Sequence, residues 1–139
     1  MYMKAAGYSS VPLAKKLGIK NLSTIRIMNG PEYYFTLFSD LPENLKEVVR
    51  GREKVDLLHY FTMNRGYLVK DIKKIKSAVK KDGAIWISWP KKSSGIFTDI
   101  NENTIREVAL KNGLVDVKVC AIDEIWSALK LVVPVKERK

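Results

Sequence analysis

The chain has 139 residues, with 25 lysines and arginines against 15 aspartates and glutamates, for a formal net charge of +10. That length suits one domain able to bury a real core, and the 46% hydrophobic content excludes global disorder. One cysteine and one histidine exclude an intrachain disulfide framework and a Cys/His zinc cluster, and no apolar run reaches the about 18 residues of a membrane span. No signal-peptide pattern is present, which points to the cytoplasm and away from any membrane.

Leu13, Ala14 and Leu17 recur at helical spacing until Gly18. This predicts a short helix within an appendage over 1–20, capped by Ser9 or Ser10 with Pro12 in its first turn. Residues 23–28 alternate weakly and end in Asn29-Gly30-Pro31, a strand followed by a turn. Pro31 is placed to start a helix whose apolar side is Tyr34, Leu37 and Phe38. Residues 41–54 give no clear pattern. Val55–Phe61 is a near-continuous apolar run, as in a strand covered on both faces.

Leu68, Ile72, Ile75 and Val79 form one apolar helical stripe, and Gly83 suits the left-handed position that ends a helix. Residues 84–89 read as the next strand, and 90–95 as a polar loop. Asn101 is an N-cap, with Ile100 and Ile105 placed as a hydrophobic staple. Val108 and Ala109 continue that helix and Gly113 ends it. Residues 114–121 alternate, Asp123 and Glu124 turn the chain, and 126–133 return as a strand. That turn is too short for a crossover, so the last two strands must run antiparallel. Residues 134–139 form a frayed basic tail. Alternating strands and helices predict a single, compact three-layer α/β domain over 1–139. Its Rossmann-like sheet is mostly parallel and ends in an antiparallel hairpin.

Between Arg65 and Lys92 nine basic residues face only Asp71 and Asp82. Lys70, Lys73, Lys74, Lys76, Lys80 and Lys81 fall on the helix face opposite the apolar stripe. They are either an electropositive surface for nucleic acid or an acidic partner, or a solvated outer face. No aromatic residue interleaves these lysines, so a stacking platform is missing along the helix.

Three places carry candidate ligand chemistry. Trp89, Lys91, Lys92, Ser93, Ser94 and Gly95 leave a strand end with two cations, two hydroxyls and a flexible glycine, which suits a phosphate or carboxylate. The alternative is an exposed crossover loop. Asp123, Trp126 and Ser127, with Glu124 and Lys130, bring charge, hydroxyl and indole together. Here Trp126 either stacks on a ligand ring or plugs the sheet. Asn29 and Gly30 open a possible helix N-terminus beside Tyr33 and Tyr34. Cys120 and His59 are the only nucleophile–base pair, both mid-strand, and Asp99 with Asp123 is the one carboxylate pair to examine.

The segment IKKIKSAVKKDGAIWISWPK, and the helix, strand, turn, strand ending, resemble the C-terminal half of class I methyltransferases. That resemblance implies S-adenosylmethionine held on a loop after the first strand. Here the loop reads Met28-Asn29-Gly30-Pro31-Glu32, with one glycine, and no acidic residue stands out at the end of a second strand to hold a ribose. The stretches GYSSVPLAKKLGI, NGPEYY, SWPKKSSG, REVALKNG and LVDVKVCAIDEIWSALKLV resemble the small prokaryotic family named domain of unknown function 3052. That resemblance implies a Rossmann-like domain and adds no reaction.

Position and chemistry together favour a module that binds a small anionic ligand, a nucleotide or phosphorylated metabolite, at 89–95. The alternatives are an unusual S-adenosylmethionine-dependent methyltransferase, and a protein that binds nucleic acid or an acidic partner through the lysine-rich helix. The residues name no metal, no particular cofactor and no catalytic group.

Overall fold

The computed structural model describes residues 11–138. Six strands form one sheet: β1 (Thr24–Met28), β2 (Lys46–Glu47), β3 (Val55–Phe61), β4 (Val79–Pro90), β5 (Val115–Ala121) and β6 (Trp126–Val132). Their order across the sheet is β2-β1-β3-β4-β6-β5. β1, β2, β3 and β4 pair in parallel, and β6 pairs antiparallel with both β4 and β5. This is the Rossmann-like architecture expected, with the C-terminal hairpin folded so that its second strand lies inside the sheet.

Helices cover both faces. α2 (Arg65–Ser77) and α3 (Glu102–Lys111) bury Leu68, Ile72, Ile75, Ile105, Val108 and Ala109 against one face. α1 (Leu13–Leu17) packs on the other, against Ile25, Leu57, Trp86 and Ala128. α1 is therefore part of the core and not an appendage. The Trp86 indole N–H donates to the Leu17 carbonyl over 3.0 Å, fixing the helix end to the sheet. Gly18 ends α1 in the left-handed region at φ 84°, the conformation glycine adopts without strain. Pro12 stands at the N-cap, and the capping role expected of Ser9 or Ser10 lies outside the described residues. Asn101 caps α3 by accepting from the Thr104 N–H at 2.9 Å, with Ile100 and Ile105 buried in the same cluster beside it.

Other expectations change as well. Pro31 starts no helix; only a 3₁₀ turn forms at Tyr34–Leu37. Residues 41–54 hold the two-residue β2. The tail carries a 3₁₀ turn at Val135–Glu137, with the Arg138 Nε–H donating to the Val133 carbonyl at 2.9 Å. Most consequentially, α2 stops at Ser77, so Lys80 and Lys81 lie on β4 and not on the helix. The sheet wins there. The Val55 N–H donates to the Ala78 carbonyl at 2.9 Å, and Val79 pairs with Val55. Val79 is buried either way, which is why helical spacing counted it.

Gly83 is not a left-handed cap. It sits where β4 bulges past β3, between the Val55–Val79 and Leu57–Ala84 pairs. A Cβ there would meet the Asp56 carbonyl oxygen at 2.7 Å and Val79 Cγ1 at 2.6 Å. Gly83→Ala is expected to lower stability by roughly 1–3 kcal/mol, the cost of forcing an extra carbon into a packed site. A urea midpoint equal to that of the wild type would contradict the close approach of the strands.

Candidate functional site

The chain leaves β1 toward β2 and then crosses back over β1 to β3. The loops after β1 and β3 therefore diverge, and a crevice opens between them at the carboxyl edge of the sheet. Open α/β sheets bind ligands at such a switch point. β6 runs antiparallel, with Trp126 opposite Pro90, so the Asp123–Trp126 turn also rises at this edge.

The turn after β1 is tight. Asn29 is left-handed at φ 60°, a conformation that asparagine tolerates better than most residues. A Cβ on Gly30 would lie 2.5 Å from Ile27 Cγ2, a clash with a β1 side chain that glycine avoids, while Phe61 Cε1 on β3 would be at an ordinary 3.7 Å. The loop after β3 turns through Thr62, whose hydroxyl accepts from the Asn64 N–H at 3.1 Å. Asn64 then caps α2 by accepting from the Tyr67 N–H at 3.0 Å.

Glu47 ends β2 level with Ile25, three residues short of the end of β1. It pairs with Ile25, which is buried beneath α1, so its side chain leaves the sheet on the α1 face. Glu47 is exposed, with no hydrogen bond or ion pair among the described residues. This acidic residue escaped the sequence reading because a two-residue strand has no periodicity. Its spacing was the available signal. It follows Gly30 by 17 residues, close to the about 20 that separate glycine turn and ribose-binding acid in dinucleotide folds.

Beneath the crevice lies a buried polar chain. Tyr34 Oη stands 2.9 Å from His59 Nδ1, and His59 Nε2 stands 2.7 Å from Ser88 Oγ. His59 stacks on Phe61 at 4.3 Å, and Trp126 meets Phe61 edge-on at 5.0 Å. Burial lowers the His59 pKa to about 3, and burial, then the charge of Glu47, raises that of the Tyr34 phenol. The chain is thus neutral, one ring nitrogen donating and the other accepting. His59 and Cys120 do not form a dyad: β4 and β6 separate their strands, about 14 Å at roughly 4.8 Å per strand. Burial also pushes the Cys120 thiol up, while Lys16 and Lys118 pull it down.

An open groove of about 350 Å³ adjoins the crevice, lined by Tyr33, Leu37, Asp123, Glu124 and Ile125. Asp123 is committed to structure. Its Oδ1 accepts from the Ile125 and Trp126 N–H groups, both at 2.8 Å, and its Oδ2 accepts from the Tyr33 hydroxyl at 3.2 Å. Asp99 accepts from the Arg65 N–H at 2.7 Å, so the two carboxylates cap different turns. Trp126 is half-buried against Phe61, and Ser127 pairs with Trp89 within the sheet.

In the 89–95 loop, Trp89 is buried and Gly95 is left-handed at φ 77°. Ser94 donates to the Lys91 carbonyl at 2.7 Å and accepts from the Ile96 N–H at 3.1 Å. The N–H groups of Lys91, Ser94 and Gly95 donate to carbonyls. What remains outward is Lys92, Ser93 and the half-exposed Lys91. The basic helix face is also thinner than six lysines. Lys76 donates to the Asn112 carbonyl at 2.9 Å, Lys80 pairs with Asp56 at 3.0 Å, and only Lys70, Lys73 and Lys74 stand exposed on α2. Among the described residues no cluster suits a metal ion, and no helix is long and apolar enough to cross a membrane.

The sheet order and its inserted antiparallel strand have counterparts among solved structures. An S-adenosylmethionine-dependent methyltransferase from Aquifex aeolicus matches with a TM-score of 0.59 over 87% of this chain and 88% of its own, at 13% identity. The fold is that of the class I methyltransferases. Magnesium protoporphyrin IX methyltransferase from Synechocystis PCC 6803, solved with bound SAH, matches with a TM-score of 0.57 over 87% of this chain and 78% of its own, at 10% identity. The Methanococcus jannaschii fibrillarin pre-rRNA processing protein matches with a TM-score of 0.56 over 83% and 68%, at 16% identity. No family model matches the sequence, so the likeness to domain of unknown function 3052 is carried no further. No curated protein matches either.

His59 is the chain's single histidine. Below its ordinary value near 6.5 an unfolded imidazole takes a proton that the buried ring, at about 3, does not. Between those values the unfolded state holds one more proton. The stability tied to neutral His59 is therefore full above about pH 6.5 and lost toward pH 3, at about 1.4 kcal/mol per pH unit. Urea unfolding from pH 7.5 down to 5 is expected to show this decline in the wild type and to lose it in His59→Gln. Equal slopes in both proteins would contradict a neutral buried ring.

Proposed function

We propose that this chain binds S-adenosylmethionine or its nucleoside product at the crevice between the β1 and β3 loops, as a small protein of the methyltransferase fold. The observation that carries the reading is the arrangement at the switch point. A left-handed Asn29 and a Gly30 with no room for a side chain stand at the carboxyl end of β1, and the unpaired Glu47 ends the flanking strand on the α1 face, near enough to Tyr34 for its charge to act on the phenol. Two structural neighbours, the Aquifex aeolicus protein and magnesium protoporphyrin IX methyltransferase from Synechocystis PCC 6803, are named as methyltransferases, and the second holds SAH.

The residues fit the nucleoside end of such a cofactor. Glu47 is suited to accept hydrogen bonds from ribose hydroxyls, and Asn29-Gly30 offers bare backbone for close approach. When bound, the cofactor supplies an electrophilic methyl group. The protein's part is to hold an acceptor in line with it, since methyl transfer needs positioning above all. The groove of Tyr33, Leu37 and Ile125 is the place for that acceptor. One feature differs from dinucleotide folds: the chain after Gly30 makes only a 3₁₀ turn, so no long helix follows the glycine turn. A phosphate held by the 89–95 loop is the weaker reading, because the N–H groups of Lys91, Ser94 and Gly95 are already bound to carbonyls.

Titration calorimetry with S-adenosylhomocysteine tests the proposal. Glu47→Ala is expected to weaken binding about tenfold or more, the worth of a hydrogen bond to a charged group. Its melting temperature should stay near that of the wild type, because Glu47 is exposed and unpaired. Absence of binding heat at millimolar ligand, or equal affinity in the variant, would overturn this assignment.

A further inference from the structure

Four exposed apolar side chains of the carboxyl edge lie on the loop after β4 and around the start of α2, two segments that the fold ties together. Phe97 is 90% exposed, Tyr67 60%, Met63 49% and Ile96 37%. Thr98 Oγ1 donates to the Met63 carbonyl at 2.7 Å, and Asp99 accepts from the Arg65 N–H at 2.7 Å. These bonds seat the loop after β4 against the start of α2. Phe97 and Met63 are thereby brought to one rim, although 34 positions separate them in the chain.

Cations border that rim on both sides. Lys91 and Lys92 lie on the Phe97 loop, and Arg65 and Lys70 on the first turns of α2. Lys70 Nζ stands 5.8 Å from the Tyr67 ring centre. No ion pair engages any of these four among the described residues. One exposed apolar side chain is ordinary, but Phe97, Ile96, Met63 and Tyr67 grouped on two segments that hydrogen bonds hold together form the kind of surface that meets a partner. An apolar partner surface would not need four cations around the ring. Flat aromatic faces set among unpaired cations match a single nucleic-acid strand, whose bases stack while its phosphates meet ammonium and guanidinium groups.

We propose that the rim formed by Phe97, Met63 and Tyr67 with Arg65, Lys91 and Lys92 binds single-stranded nucleic acid. This surface stands beside the crevice and does not depend on its occupant. It also revises the reading of the basic helix: the aromatic partners missing along α2 come from its first turn and from a neighbouring loop.

The test is fluorescence anisotropy of the full chain with a labelled oligouridylate of about 12 nucleotides, and with its thymidylate counterpart. Binding is expected to fall with salt at a log–log slope of about −2.8, from roughly 0.7 per phosphate over four contacts. Phe97→Ala should weaken binding about tenfold, Phe97→Trp should retain it, and Lys91→Ala with Lys92→Ala should flatten the salt slope. Unchanged melting temperatures would show that each variant folds. No binding at low salt, or the same affinity in Phe97→Ala, would overturn the proposal. So would Phe97→Ala converting a dimer into a monomer without touching oligonucleotide binding, since the rim would then be a contact between copies of this chain. Calorimetry with S-adenosylhomocysteine on the same samples keeps failure of this surface separate from failure of the crevice.

Discussion

The structure depends on β3 being buried on both faces. Val55, Leu57, Leu58, His59, Tyr60 and Phe61 are all inside, so their backbone N–H and C=O groups have only neighbouring strands as partners. β1 and β4 supply them in parallel. That requirement also overrules the helical pattern past Ser77. An unpaired Val55 N–H in the core would cost more than the last helical turn is worth, and the chain after Ala78 is drawn into the sheet.

The same strand shapes the site. Its carboxyl end stands beside that of β1, and the return of the chain from β2 across β1 opens the crevice between them. His59 lies one residue pair below that end and cannot hold a charge there. Its polar nitrogens are satisfied by Tyr34 and Ser88, which tie the 3₁₀ turn after β1 to β3 and β4. The floor beneath Asn29 and Gly30 is thus a neutral hydrogen-bonded chain surrounded by aromatic rings. Charged groups flank that floor, with Glu47 ending β2 on one side and Lys91 and Lys92 following β4 on the other.

Local chemistry was legible where the pattern is local. The Val55–Phe61 run, the Asn101 cap with its staple, Gly18 and Gly113 as helix ends, and the antiparallel final pair follow from spacing and turn length. Glu47 was not, because β2 holds two residues and borrows its strand character from β1. Gly83 was misread for a related reason. Its need for a bare Cα comes from the Asp56 carbonyl across the sheet and not from its own φ. The lysines divided in the same way: Lys76 and Lys80 found carbonyl and carboxylate partners on other elements.

The sequence by itself determined the class of the fold, the parallel core and the places where chain ends and turns carry polar groups, since these rest on hydrophobic period and turn stereochemistry within about ten residues. Only the tertiary structure decided which of those groups share a surface. The crevice lies between residues 29–30 and the β3 end, with Glu47 on the flanking strand β2, and the rim joins Met63 to Phe97. Both arise from strand order and from hydrogen bonds between distant segments. Strand order is set by which buried faces and backbone edges complete one another across the whole sheet, a condition that no window of the sequence contains.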